Sequence, residues 1–292
     1  MRATISSLTL LILLFSLVFG QNNTSTATTL PPSANPEIAQ TKGSRFLDML
    51  EENEVQTSLN TFDNNYTYKN PTSSRYDTLL YNTVNYRSDE VPRFSLTVIR
   101  NRMYDLPMVI SMDYNIYVQR YIDVYSVQRR EQVSRMLGLA KVYFPIFEEE
   151  LDREGMPMEI KYLSVVESAL DPHARSYVGA TGLWQFMLST GRIYGLKVDS
   201  YVDERKDPVK ATRAACRYLK EAYSEYGDWL LAIAAYNCGP GNVRKAIARS
   251  GGKKTFWEIR DYLPKETRGY VPAFLAATYV LEYAHEHNIC PT

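Results

Sequence analysis

The amino-acid sequence predicts a mainly α-helical fold, and two observations carry this prediction. From about residue 91 onward, apolar residues recur at spacings of three and four, which is the period of one helix face. No convincing strand pattern, with strict alternation of apolar and polar residues, appears anywhere. The chain has 292 residues and is 45% hydrophobic, which is enough for one large domain or two small ones with a real core.

The charge balance argues against one class of partner. Lys plus Arg total 33 and Asp plus Glu total 33, so no excess of positive charge is available to hold a nucleic acid. No nucleic-acid partner is therefore expected.

Residues 1–20 are predicted to be a signal peptide. Arg2 precedes an apolar run over residues 8–19, and Gly20 is a small residue before Gln21 that a signal peptidase could accept. The run is too short for a confident membrane span, although an uncleaved anchor is the alternative. A bacterial lipoprotein would need a Cys where Gln21 stands, so no lipid anchor supports membrane association.

The remainder of the chain divides into two predicted regions. Residues 21–90 are expected to be flexible or partly ordered, because their first half is rich in Asn, Ser, Thr and Pro and cannot bury enough apolar surface. Residues 91–292 are predicted to form the helical domain, with a catalytic core at about 145–250. Within it, Pro145 is expected to open one helix that Gly155 ends, and Pro157 to open the next.

Glu167 lies on the helix that Pro157 is expected to open. At 100° per residue its carboxylate projects between Ile160 and Leu163, on the apolar stripe. Burial, together with a helix end at Asp171-Pro172, would raise its pKa. A carboxylic acid protonated near neutral pH can give its proton to a glycosidic oxygen. A pairing with a buried Arg, or a loop-capping role, is the alternative.

Polar groups able to orient a sugar follow Glu167 in the chain. They are His173, Ser176, Tyr177 and, farther on, Asn237. Thr181 is expected to cap a helix over residues 182–195, from which Gln185 would point back toward the first helix.

The second half of the domain has clear helix boundaries. Asp207-Pro208 is predicted to start a helix that ends at Gly227, and Asp228 to cap an apolar helix that ends at Tyr236-Asn237.

Two further predictions concern the last helices. Thr255 with Glu258 matches a capping box, and Pro264 and Pro272 are expected to flank the start of the final helix.

Six ordered motifs over residues 95–290 resemble the lytic transglycosylases of the soluble-lytic-transglycosylase type, and most nearly the membrane-bound murein transglycosylase D branch. The motifs are Glu167-Ser168, GATGLWQ (179–185), TGRIYGL (190–196), DERKDP (203–208), AYN (235–237) and LPKETRGYVPAFLAA (263–277). Trp184 departs from the Met of many relatives, and Leu188 stands where a Pro is common.

The resemblance implies a lysozyme-like helical domain with a glycan-binding groove. It implies cleavage, without water, of the β-1,4 bond between N-acetylmuramic acid and N-acetylglucosamine in peptidoglycan, which leaves a 1,6-anhydro end. Glu167 matches the single acid and base of the family. The implied substrate-binding residues are Ser176, Gln185, Met187, Tyr236 and Asn237. The implied partner is the peptidoglycan glycan strand, and the implied location is the periplasm or cell envelope of a Gram-negative bacterium.

Two other functions stay open. A muramidase that uses water would need a second carboxylate, such as Asp203 or Glu204, near the groove. A non-catalytic glycan-binding protein would have Glu167 exposed or locked in an ion pair.

The cysteines and histidines predict no metal or cofactor site. The three His (173, 285 and 287) lack metal-ligand spacing. Relatives often carry small residues where Cys216 and Cys238 stand on successive helices, and either a disulfide or two free thiols fits these positions.

Overall fold

The structure, a computed structural model, describes residues 86, 87 and 89–292. The predicted signal peptide and nearly all of the predicted region 21–90 lie outside these residues. Both boundaries therefore stay predictions.

Ten α-helices make up most of the described residues. They are α1 (Leu96–Asp105), α2 (Ile116–Asp123), α3 (Arg130–Arg153), α4 (Leu163–Ser168), α5 (Leu188–Ile193), α6 (Pro208–Tyr226), α7 (Trp229–Cys238), α8 (Pro240–Arg249), α9 (Phe256–Ile259) and α10 (Lys265–Glu282). A π-helical turn, Val124–Gln128, follows α2, and 3-10 turns lie at Met158–Tyr162, Glu204–Lys206 and Arg260–Tyr262. Only isolated β-bridges occur in this part of the chain, which confirms the mainly α prediction.

Helix α7 is the centre of the domain. It is apolar on every side, and residues 230–235 are all buried. It packs against α6, α8 and α10, while α10 also contacts α2 and α4. A helix without a polar face belongs inside a core, and α7 carries Tyr236 and Asn237 out of that core at its last turn.

The predicted boundaries of α6 and α7 are confirmed. Asp207 caps α6 by accepting a hydrogen bond from the Lys210 amide at 2.9 Å, and α6 ends at Gly227 with a positive φ of 67°. The Asp228 carboxylate caps α7 by accepting from the Leu231 amide at 2.7 Å.

Several predicted helix starts are wrong. Pro145 lies inside α3, on its exposed face, where water can reach the carbonyl that Pro145 leaves without a backbone donor. The helix expected from Pro157 starts as a 3-10 turn and becomes α4 only at Leu163. Pro272 lies within α10 rather than at its start.

The capping box predicted at Thr255 is also not formed. The Thr255 hydroxyl donates to the Glu258 carboxylate at 2.8 Å and caps no backbone amide.

The two cysteines of α6 and α7 are free thiols in the structure. Cys216 is buried, and Cys238 is half-buried with its sulfur 3.7 Å from the Gly239 carbonyl oxygen. Of the two arrangements that the sequence leaves open, the structure contains the reduced one.

Across the described residues, every helix is too short or too polar to span a lipid bilayer.

Candidate active site

Glu167 lies in the last turn of α4, with its side chain half-buried. Ile160 and Leu163, on the same face, are fully buried, as the helical projection predicts. Helix α4 ends at Ser168, earlier than expected, because Ala169 and Leu170 take left-handed backbone angles (φ 50° and 65°). This early end places Glu167 one residue before the end of α4, next to the turn that follows the helix.

The Glu167 carboxyl accepts a hydrogen bond from the Tyr270 hydroxyl of α10. Burial raises the pKa of Glu167 to about 8, although the Tyr270 hydrogen bond acts in the opposite direction by stabilising the carboxylate. The negative charge of Glu266, one turn before Tyr270, adds to the rise. Glu167 can therefore hold a proton at neutral pH, which is the property that its place on the apolar stripe predicts.

Tyr236 and Tyr270 stand beside this carboxyl as neutral phenols. Burial and the nearby Glu167 charge raise the pKa of both hydroxyls well above the usual value. The Tyr236 hydroxyl donates to the Trp184 carbonyl at 2.8 Å, and its ring packs edge-on against Phe186 and Tyr218. Tyr236 thus joins the end of α7 to the segment that follows Glu167 in the chain.

Asn237 is held by α10. Its side-chain oxygen accepts a hydrogen bond at 2.7 Å from the hydroxyl of Thr267, a buried residue. The same helix therefore fixes Asn237 through Thr267 and contacts Glu167 through Tyr270, three residues later.

Residues 174–187 form a turn-rich segment, which we call the site loop, and not the predicted helix capped by Thr181. Thr181 is buried and forms bridges with Arg175 and Phe186, and the only helix nearby is the short α5 from Leu188. The apolar pattern of the loop reflects burial, since Leu183 and Trp184 are fully buried. The Trp184 indole donates to Thr212 of α6 at 2.9 Å.

Gln185 sits in this loop with a positive φ of 46°. Its side-chain amide donates to the Gly182 carbonyl at 2.9 Å and to the Ala174 carbonyl at 3.2 Å. The prediction that it points back from a helix toward α4 is therefore wrong, and its donors brace the loop itself.

Ser176 and Met187 lie near the two ends of the site loop. The Ser176 hydroxyl accepts from the Ala180 amide at 3.0 Å and so closes a turn. Met187 is 41% exposed and immediately precedes α5. Their role in substrate binding stays a prediction.

The two carboxylates named as possible partners of Glu167 are held in ion pairs. Asp203 accepts from the Arg205 guanidinium at 2.7 and 2.9 Å, and Glu204 pairs with Lys210 at 2.5 Å. These hydrogen bonds lower the pKa of both carboxyls. Each carboxylate is therefore a weakened base whose oxygens are already paired with a cation, which makes it poorly suited to take a proton from water.

The central part of the chain is similar to a known protein family. Residues 144–259 match the model of the Transglycosylase SLT domain. The resemblance to lytic transglycosylases is thereby confirmed, and with it the mainly helical, lysozyme-like class of the fold.

Two lytic transglycosylases are among the curated proteins that this chain resembles. Membrane-bound lytic murein transglycosylase D of Escherichia coli (strain K12) is 44% identical over 144 residues, 48% of this chain and 31% of the relative. The soluble lytic murein transglycosylase of Salmonella typhimurium is 36% identical over 126 residues, 41% of this chain and 19% of the relative. This chain thus spans about a third or less of the length of these relatives.

Among solved structures, the 70 kDa soluble lytic transglycosylase of Escherichia coli is 28% identical, with a TM-score of 0.42 over 51% of this chain and 26% of that one.

Sequence reasoning missed Tyr270, Thr267 and Arg205 as site residues. Tyr270 appeared only inside the motif LPKETRGYVPAFLAA, although a phenol on the apolar face of α10 is a signal for a buried hydrogen bond. Thr267 and Arg205 also lie inside quoted motifs, but their contacts with Asn237, Gly179 and Phe186 join segments that are far apart in the sequence.

Proposed function

We propose that this protein is a peptidoglycan lytic transglycosylase with Glu167 as its single acid and base. The observation that carries the proposal is the half-buried Glu167 carboxyl, whose pKa is raised to about 8 and which Tyr270 holds in place. The SLT match over residues 144–259 supports the choice of reaction class and of substrate.

The first step is protonation of the leaving group. Oε1 of Glu167 accepts the Tyr270 hydrogen bond, and we assign the carboxyl proton to the other oxygen, Oε2. That proton passes to the glycosidic oxygen between N-acetylmuramic acid and N-acetylglucosamine as the bond to C1 breaks. General acid help of this kind contributes about 10²–10⁴-fold in rate.

The second step closes the new ring. The Glu167 carboxylate takes the proton of the C6 hydroxyl of N-acetylmuramic acid while O6 forms a bond to C1. Glu167 returns to its protonated state, no water is consumed, and the product is a 1,6-anhydro sugar. Because the substrate supplies its own nucleophile, one carboxylate suffices where hydrolases use two.

Ser176, Gln185, Met187, Tyr236 and Asn237 are the proposed substrate-binding residues. Tyr236 and Asn237 leave the core beside Glu167, and Ser176, Gln185 and Met187 belong to the site loop that Tyr236 contacts. We assign the glycan strand to the groove between this loop and the end of α7.

The proposed location is the periplasm or cell envelope of a Gram-negative bacterium. The apolar run over residues 8–19 supports export, and the named relatives act on murein.

The test is digestion of purified peptidoglycan by the wild type and by Glu167→Gln. Glu225→Gln is the matched control, because Glu225 is an exposed carboxylate of α6 that pairs with Arg244. We expect fragments one water lighter than lysozyme products from the wild type and the control. Glu167→Gln should lose at least about 10²-fold in rate, because it cannot exchange the proton.

Two outcomes would contradict the proposal. Ordinary reducing ends from the wild type would indicate a hydrolytic muramidase. Binding of peptidoglycan without any release of fragments would indicate a non-catalytic glycan-binding protein.

A further inference from the structure

Arg205 is a buried cation with two backbone carbonyls of the site loop as partners. It lies in the 3-10 turn Glu204–Lys206 and is only 8% exposed. One guanidinium nitrogen, Nη1, donates to the Gly179 carbonyl and to the Phe186 carbonyl, each at 3.1 Å. A single side chain therefore joins the two arms of the loop, seven residues apart.

Asp203 fixes the orientation of this guanidinium. Its two oxygens accept from Nε at 2.9 Å and from Nη2 at 2.7 Å, in the paired geometry that aligns the two planar groups. With Nε and Nη2 engaged by Asp203, Nη1 is directed at the loop. Arg205 is thus oriented from one side and binds the loop from the other.

The backbone of the same turn also touches the loop. A Cβ atom at Gly182 would lie 1.9 Å from the Arg205 carbonyl oxygen, so only glycine allows these two backbone segments to approach so closely. Gln185 lies three residues after Gly182 in the same loop, and its side-chain amide donates to the Gly182 carbonyl. The turn that holds Arg205 is therefore packed directly against the residues proposed to bind the glycan.

Other residues anchor the interior of the loop. Ser168 donates to the Leu183 carbonyl at 2.9 Å, and Tyr236 donates to the Trp184 carbonyl. These contacts hold the middle of the loop. Arg205 instead holds the Gly179 and Phe186 carbonyls, which lie next to the two outer sections of the loop. The outer sections carry Ser176 and Met187.

We infer that Arg205, oriented by Asp203, is a positioning residue that sets the site loop for glycan binding. This inference rests on the proposed function. In this inference Asp203 orients Arg205, and it does not act as the second catalytic carboxylate that a hydrolase would need. The proposal concerns substrate binding rather than proton transfer, because Arg205 contacts the loop and Glu167 is held separately by Tyr270.

The experiment compares Arg205→Lys, Asp203→Asn and the matched control Arg192→Lys. Arg192 is an exposed arginine of α5 that makes a hydrogen bond to the Val198 carbonyl at 3.0 Å. Lysine keeps the charge but cannot serve two carbonyls and a carboxylate in one plane. The substrate is soluble, uncrosslinked glycan strands, and kcat and KM are measured separately across pH.

For Arg205→Lys and Asp203→Asn we expect kcat/KM to fall about 10- to 100-fold, mostly through KM, because a loop displaced by ~1 Å misplaces the substrate. The pH at which activity declines should not move, since Glu167 is untouched. Hydrogen exchange should speed up at the amides of residues 176–186 and stay unchanged in α7. Arg192→Lys should match the wild type in every readout.

Three results separate the possible failures. An active wild type with Arg205→Lys equal to Arg192→Lys would overturn the positioning role. A fall in kcat alone, with faster exchange throughout the domain, would show a general loss of stability and would also overturn it. An inactive wild type would overturn the proposed function, while the exchange rates of the site loop would still show whether Arg205 holds it.

Discussion

Two residues from distant parts of the sequence create the chemical character of the site. Glu167 and Tyr270 are 103 positions apart and share one hydrogen bond. Burial favours the neutral carboxyl, and the phenol favours the charged one. The balance leaves the pKa at about 8, where the group can both give and take a proton near neutral pH.

This balance predicts the pH dependence of catalysis. Because the proposed first step needs protonated Glu167, kcat/KM should fall as pH rises through about 8. In Tyr270→Phe the hydrogen bond that lowers the pKa is lost, so the decline should move to higher pH, with a lower maximum rate because the carboxyl is less well held. A pH series of initial rates measures both effects.

Tyr162→Phe is the control for this experiment. Tyr162 is also a buried phenol that donates to a carboxylate, Glu282, but it lies outside the site. Its pH profile should match that of the wild type. An unchanged profile in Tyr270→Phe would show that this hydrogen bond does not set the pKa of the proposed catalytic group, Glu167.

The site loop contains two glycines with positive φ, and they differ in how much space surrounds them. Gly179 and Gly182 have almost the same positive φ, 88° and 86°. A Cβ at Gly179 would meet nothing within 4 Å, whereas at Gly182 it would overlap the Arg205 carbonyl. Of the two, only Gly182 is needed to let the loop backbone lie close to the Arg205 backbone.

These two glycines form a matched pair of variants. Gly179→Ala should cost about 1–2 kcal/mol of unfolding free energy, because alanine is strained at positive φ. Gly182→Ala should cost the same strain plus a further ~1–3 kcal/mol for overpacking, and it should weaken glycan binding. Urea unfolding of both variants gives the comparison. Equal losses of unfolding free energy in the two variants would mean that Gly182 and the Arg205 carbonyl are not in tight contact.

Elements defined by local signals could be predicted from sequence. Asp207, Gly227 and Asp228 act within one or two turns of their own helix, and the helices that they bound form as expected. The stretch after Thr181 could not be predicted in this way. Its apolar residues have a helical pattern, but its carbonyls are satisfied by Ser168, Tyr236 and Arg205, which no local window contains.

At the scale of the whole molecule, the fold brings three separate segments to one place. Helix α4 supplies Glu167, the end of α7 supplies Tyr236 and Asn237, and α10 holds both through Tyr270 and Thr267. The buried helix α7 supports this arrangement by packing against α6, α8 and α10. The apolar composition of α7 predicts its burial, but the pairing of α10 with the site depends on tertiary structure.

We propose that Glu167 alone supports cleavage of the glycan without water. Digestion of peptidoglycan by the wild type in water enriched in ¹⁸O tests this directly, with mass spectrometry of the ¹⁸O content of the released fragments. We expect 1,6-anhydro products that carry no ¹⁸O, because in the proposed reaction O6 of the substrate forms the new bond to C1. Fragments with one ¹⁸O at the new end would contradict it, since they would show that water is the nucleophile.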